Sequence, residues 1–122
     1  MKQQTVIFDL DGTLALIDKR RALAAKPNGK INWKTFFAPE NISLDEPNLP
    51  VIASFKAMKA AGFRVGIFSG RDSISRQQTE DWLDQEMAAG HEIMCVFDDR
   101  DKVVKMWREN GISCFQVAPG NF

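Results

Sequence analysis

The sequence predicts an α/β fold built on a parallel sheet, and three observations carry that prediction. Four short, nearly continuous apolar runs, Val6-Ile7-Phe8, Val65-Gly66-Ile67-Phe68, Ile93-Met94-Cys95-Val96-Phe97 and Ser113-Cys114-Phe115-Gln116-Val117, have the pattern of strands covered on both faces. Segments with helical spacing of apolar residues lie between them, and alternation of strand and helix is the signature of this class. The chain has 122 residues, 44% of them hydrophobic and 26% charged, which is the size of one ordinary globular domain.

Taken in order, the first strand runs directly into Asp9-Leu10-Asp11-Gly12-Thr13. Residues 15–48 then break the rhythm with Pro27, Asn28, Gly29, Pro39 and Pro47, too long and irregular for an ordinary connection, and read as an insertion over the site. Residues 50–61 place Val51, Ile52, Phe55, Met58 and Lys59 at helical spacing and stop at Gly62, a helix with its C-terminal signal. The second strand ends in Ser69-Gly70-Arg71-Asp72, and a helix over about 73–87 starts near Asp72 or Ser73. The third strand ends in Asp98-Asp99, and a helix over about 101–109 closes at Asn110-Gly111 before the last strand.

Composition excludes several classes. Nine Phe and three Trp argue against disorder, and no apolar run approaches the ~18 residues that a membrane span needs. Sixteen basic and sixteen acidic side chains give a net charge of zero, so binding to a polyanion would need a local patch. The residues before Asp9 lack the long apolar core of a signal peptide, so a cytoplasmic location is expected. Cys95 and Cys114 lie inside strands and read as buried thiols, with no zinc-like Cys/His cluster. His91 reads as a surface residue in a loop, and Trp82 and Trp107 as core.

Two readings stand for the insertion. Lys19, Arg20, Arg21, Lys26, Lys30 and Lys34 face only Asp18 among residues 18–34, and Trp33, Phe36 and Phe37 follow; basic groups mixed with stacking rings suit nucleotides. The alternative is a solvated basic helix whose aromatics close a small satellite core.

The chemistry lies at the strand ends. Asp9 and Asp11, Ser69 to Asp72, and Asp98-Asp99 all finish strands at the carboxyl edge, where open α/β sheets place their ligands. Carboxylates held close together repel unless they share a proton or hold a cation, and an oxygen-only donor set suits Mg²⁺. Such an ion would let one aspartate approach and attack a phosphorus, while the second protonates the departing alkoxide. Ser69 and the amides near Gly70 would hold phosphate oxygens, and Gly12 would admit the substrate close to the backbone.

Asp9-Leu10-Asp11-Gly12-Thr13, Ser69 and Asp98-Asp99 resemble motifs one, two and four of the haloacid dehalogenase (HAD) phosphohydrolases. Ser69-Gly70-Arg71, with the stretch from Asp98-Asp99-Arg100 through Trp107-Arg108 to Phe115-Gln116-Val117-Ala118, is similar to the phosphatase domain of bacteriophage polynucleotide kinase/phosphatase. The resemblance implies a three-layer Rossmann-like HAD fold of residues 1–122 with a cap-like insertion at about 15–48. It implies Asp9 as the nucleophile and Asp11 as the acid/base, which also offers its main-chain oxygen to Mg²⁺. Thr13, Ser69, Gly70 and Arg71 would contact substrate, and Asp9, Asp11, Asp98 and Asp99 would serve the metal. The implied substrate is a phosphorylated nucleotide or a 3′-phosphorylated nucleic-acid end. No glycine-rich stretch ending in Gly-Lys-Ser/Thr occurs, so no kinase activity is expected.

The sequence departs from this family in one respect. No lysine lies between Lys59 and Lys102, where the family carries its third-motif lysine, and the interval from Ser69 to Asp98 holds only one helix. One strand–helix unit, roughly 25 to 30 residues, is lacking. The remaining helix must then cross the first strand, leaving a four-stranded sheet with an exposed edge and making a homodimer plausible. Lys102, and more weakly Arg76, are the candidates to replace the missing charge. Two rival classes are a phosphate- or nucleic-acid-binding module without effective catalysis, and a phospho-accepting receiver domain. The receiver reading fits poorly, because the paired aspartates open the chain instead of standing in its middle.

Overall fold

The computed structural model describes residues 3–68 and 76–121. Its central sheet contains β1 (Gln3–Asp9), β4 (Arg64–Phe68), β5 (His91–Asp98) and β6 (Cys114–Gln116), all parallel, in the order β4-β1-β5-β6. The connecting helices are α4 (Leu49–Ala60), α5 (Arg76–Ala88) and α6 (Asp101–Glu109). Thus the predicted α/β class, the four strands and the helix that passes from one side of β1 to the other are all present.

Both faces of β1 are covered, which is why its residues read as a continuous apolar run. Val6 and Phe8 point to one side, where Val51, Ile52, Phe55 and Met58 of α4 pack on them with Cys95. Ile7 points to the other side, joining Leu83 of α5, Val104 and Trp107 of α6, Val96 and Cys114. Three layers result. The two cysteines fall on opposite faces of the sheet, buried and unlinked. At the end of α4, Ala61 caps the helix and Gly62 follows with φ +96°, a turn that a side chain would strain.

The chain order moves from β1 outward to β4, then back across β1 to β5 and on to β6. This reversal opens a crevice at the carboxyl ends of β1 and β5, and it sets where the site lies.

The stretch between β1 and α4 is more regular than its prolines and glycine suggest. It holds β2 (Ala15–Leu16) paired antiparallel with β3 (Glu46–Pro47), and between them α1 (Asp18–Ala24), α2 (Trp33–Phe36) and α3 (Pro39–Ile42). Ile17, Ala24 and Phe36 are buried in a cluster of their own, flanked by Ile31 and Phe37. The satellite core expected as one of two readings is therefore real. His91 departs from expectation: it opens β5 instead of lying in a loop, and its Nδ1 stands 2.5 Å from Glu86 Oε2 and 3.0 Å from Arg64 Nη1. The predicted start of the second long helix at 72–75 lies outside the described residues.

Candidate active site

Asp9 is the last residue of β1, and the chain leaves it in a tight turn. Leu10 N donates to Phe68 O at 2.9 Å, Ala15 N to Leu10 O at 3.0 Å, and Gly12 N to Ala15 O at 2.9 Å. Gly12 is required here twice over. Its φ is +85°, and a Cβ would fall 1.9 Å from Asp99 Oδ2. The sequence assigned Gly12 to approach by substrate; the group that approaches it is the Asp99 carboxylate. Thr13 is fully buried, and its hydroxyl donates to Asp9 Oδ2 at 3.4 Å. It supports the Asp9 carboxylate from within, and its burial gives it no exposed face for the substrate contact expected of it.

The end of β5 brings two more carboxylates to the same place. Asp98 Oδ1 accepts from the backbone N–H of Asp99 at 2.8 Å and of Arg100 at 3.2 Å, which fixes the turn into α6. One oxygen from each of Asp9, Asp98 and Asp99 lies within 4.8 Å of the other two. Asp98 and Asp99 are buried. Burial first, then the charges of Asp98 and Asp99, pushes Asp9 up to about 10. Burial likewise raises Asp98 to about 6, against the pull of its two backbone hydrogen bonds, and raises Asp99.

The donor chemistry fits a hard divalent cation. All three groups offer carboxylate oxygens, and the buried Oδ1 of Asp99 has no hydrogen-bond partner among the described residues. A carboxylate oxygen hidden from water with nothing donating to it is costly unless a cation meets it.

The chain beyond β5 clamps this loop. Gln116 Nε2 donates to Asp99 O at 2.9 Å and to Asp101 Oδ1 at 2.6 Å, Val117 N donates to Asp98 O at 2.9 Å, and Asp101 N donates to Gly120 O at 2.9 Å. Gly120 fits so closely that a Cβ there would fall 2.0 Å from Asp99 O.

Asp11 is held differently from its neighbours. Its Oδ1 accepts from Arg20 Nη2 at 2.8 Å, and Arg20 also forms a two-bond fork with Asp45, Nε to Oδ1 at 3.0 Å and Nη2 to Oδ2 at 2.7 Å. Arg20 is completely buried, donates Nη1 to Phe36 O at 3.3 Å, and lies 4.3 Å from the centroid of the Phe36 ring. The insertion is thereby locked to the first motif through one guanidinium.

Of the residues that the sequence singled out, the structure gathers Asp9, Asp11, Asp98 and Asp99 at one cleft. Lys102 stands solvent-exposed in the first turn of α6, and the basic residue of that region that lines the cleft is Arg100. Ser69, Gly70 and Arg71 lie outside the described residues. Arg20, Arg100, Gln116 and Gly120 were not marked as site residues by the sequence. Arg20 carried no local signal, because a basic residue in a basic run reads as solvated; the spacing from Asp98-Asp99 to Gln116 and Gly120 has no periodicity to reveal it.

The family model for the polynucleotide kinase PNKP phosphatase domain matches residues 3–93 and 80–122. The chain is also similar to a chain in the structure of the Pnkp1/Rnl/Hen1 complex, at 29% identity and a TM-score of 0.65, covering 99% of this chain and 47% of that one. A second match, in the Pnkp1/Rnl/Hen1 RNA repair complex, has 28% identity and a TM-score of 0.65, covering 99% of this chain and 44% of that one. The chain thus spans less than half the length of these two. Both are assemblies of several proteins, which lends no support to the expected homodimer. With matched stretches that together run from residue 3 to residue 122, on a sheet that ends in paired aspartates at one crevice, the chain belongs to the HAD-type family of PNKP phosphatase domains.

Proposed function

We propose that this protein is a Mg²⁺-dependent phosphomonoesterase that works through an aspartyl-phosphate, on a nucleotide or on the 3′-phosphorylated end of a nucleic acid. The observation that carries the reading is the cluster of Asp9, Asp98 and Asp99 oxygens at the carboxyl ends of β1 and β5, half-buried for Asp9 and buried for the other two, mutually repelling and, among the described residues, incompletely hydrogen-bonded. We take residues 1–122 as one cytoplasmic domain, with residues 15–48 as its insertion; among the described residues no helix is long and apolar enough to cross a membrane.

An Asp9 oxygen attacks the phosphorus, the bond from phosphorus to the ester oxygen breaks, and Asp11 donates a proton to the departing alkoxide. Water then attacks the phosphorus of the aspartyl-phosphate, Asp11 takes its proton, and phosphate leaves with Asp9 restored. Asp9, Asp98 and Asp99, with the main-chain oxygen of Asp11, would hold Mg²⁺, and the ion would supply the positive charge that makes one anion tolerable beside another. Thr13 orients the Asp9 carboxylate and Arg20 that of Asp11. Ser69, Gly70 and Arg71 are assigned to the phosphate on their likeness to the family's second motif. In place of the third-motif lysine, we assign the positive charge to Arg21, whose charge acts on Asp99.

The missing lysine also favours a second reading, a module that binds phosphorylated ends with negligible turnover. One experiment addresses both: hydrolysis, with Mg²⁺, of a generic phosphate ester and of a 3′-phosphorylated oligonucleotide by wild type and Asp9→Asn. The substitution is expected to lower the rate by about 10³-fold or more. Equal rates for the two proteins would overturn the mechanism, and retention of the oligonucleotide without release of phosphate would select the binding module.

A further inference from the structure

One wall of the carboxylate cleft takes no part in the chemistry above. Trp33, Phe37 and Arg100 line it beside Asp9, Asp98 and Asp99. Trp33 and Phe37 are nearly parallel, 21° between planes with centroids 5.7 Å apart, and the Arg100 guanidinium lies 5.1 Å from the centroid of the Trp33 ring. Phe36 is buried in the satellite core and Trp33 meets it edge-on, centroids 5.3 Å apart, yet Trp33 keeps 39% of its surface exposed, so that core covers it only in part.

We infer that Trp33, backed by Phe37 and joined by Arg100, is a stacking seat for the terminal base of the substrate, set beside the carboxylates that receive its phosphate. The inference rests on the reading of the site as a phosphatase for nucleotides or nucleic-acid ends, and adds to it where the base goes. Flat, weakly polar surfaces made of aromatic rings and a planar guanidinium accept any base, because every base has a π-face. Positive charge on the same inserted stretch suits the phosphates that flank that base: Lys26, Lys30 and Lys34 are all exposed. The seat therefore selects for the presence of a base and not for its identity.

The test compares two 3′-phosphorylated oligonucleotides that differ only in whether the terminal nucleotide carries a base or is abasic. Binding is measured by fluorescence anisotropy on Asp9→Asn protein, and hydrolysis on protein with Asp9 intact, each with Trp33, Trp33→Ala, Trp33→Phe or Arg100→Met. Trp33→Ala is expected to weaken binding of the base-bearing end roughly 10- to 100-fold more than binding of the abasic end, with Trp33→Phe restoring most of the difference. Arg100→Met is expected to give a smaller loss of the same selectivity. Equal effects of Trp33→Ala on both ends, or none on either, would overturn the seat, even if hydrolysis of both proceeds and the phosphatase reading stands. Selective loss of binding in a protein that hydrolyses neither end would uphold the seat and reject the phosphatase.

Discussion

The cleft handles buried charge in two opposite ways, and the contrast separates what is finished in the folded chain from what awaits a ligand. On the sheet side, Asp9, Asp98 and Asp99 bring like charges together, and among the described residues Asp99 Oδ1 has no donor. On the insertion side, Arg20 is just as deeply buried, yet its donors reach Asp11, Asp45 and the Phe36 carbonyl. The first arrangement is electrostatically incomplete and the second is closed. A buried ion pair adds little net stability over apolar packing, but breaking one is costly, so Arg20 acts as a rivet between insertion and active site.

The largest expected effect breaks the closed side. Arg20→Ala leaves two carboxylates under the insertion without their partner and should cost about 3–5 kcal/mol, a large part of the ~5–15 kcal/mol that holds a domain of this kind. Chemical denaturation would show it; a loss below about 1 kcal/mol would mean that water enters and the pair is not a rivet.

A smaller effect sharpens the incomplete side. Asp9 and Asp98 hold protons in the folded chain that the unfolded chain releases near pH 4, so without metal the folded state binds more protons and stability falls as pH rises. The fall runs from about 4 to about 6 for Asp98 and on toward about 10 for Asp9. Mg²⁺ replaces those protons, so its stabilisation should grow with pH. Thermal melts at about pH 5.5 and 8, with Mg²⁺ or with chelator, check this; a gain in Tm independent of pH would contradict the cluster as the metal's site.

The smallest effect is expected one residue away from the largest. Lys19 precedes Arg20 in α1 and makes a 2.8 Å pair with Glu46, but both side chains are about three-fifths exposed. Lys19→Ala should leave the melting temperature unchanged, because water and salt already screen such a pair. Two adjacent basic residues of one helix would then differ by a large part of the domain's stability, decided by the burial of one ion pair and the exposure of the other.

That pair also shows where reading the sequence reaches its limit. Lys19 and Arg20 look alike in a basic run, and nothing local separates them. By contrast, Asp9, Asp11, Asp98 and Asp99 were legible, because each follows an apolar run whose strand character dictates which end of the sheet it occupies. The helices α4 and α6 were legible with their ends, since apolar spacing and the Gly62 and Asn110-Gly111 stops are local signals. Within the insertion, α2 and α3 were not, because at four residues each they are too short for a period to register.

The sequence by itself determined the class of fold, the order of its main elements and the four carboxylates that meet at the crevice. These follow from periodicity and from residues adjacent in the chain. Only the tertiary structure decided that Arg20 would meet Asp45 across 25 positions, that Gln116 would hold the Asp99 carbonyl across 17, and that Arg100 would lie over the Trp33 ring in the wall of one cleft. Such contacts depend on how whole elements pack, and packing brings distant residues together without leaving a repeat in the chain for periodicity to detect.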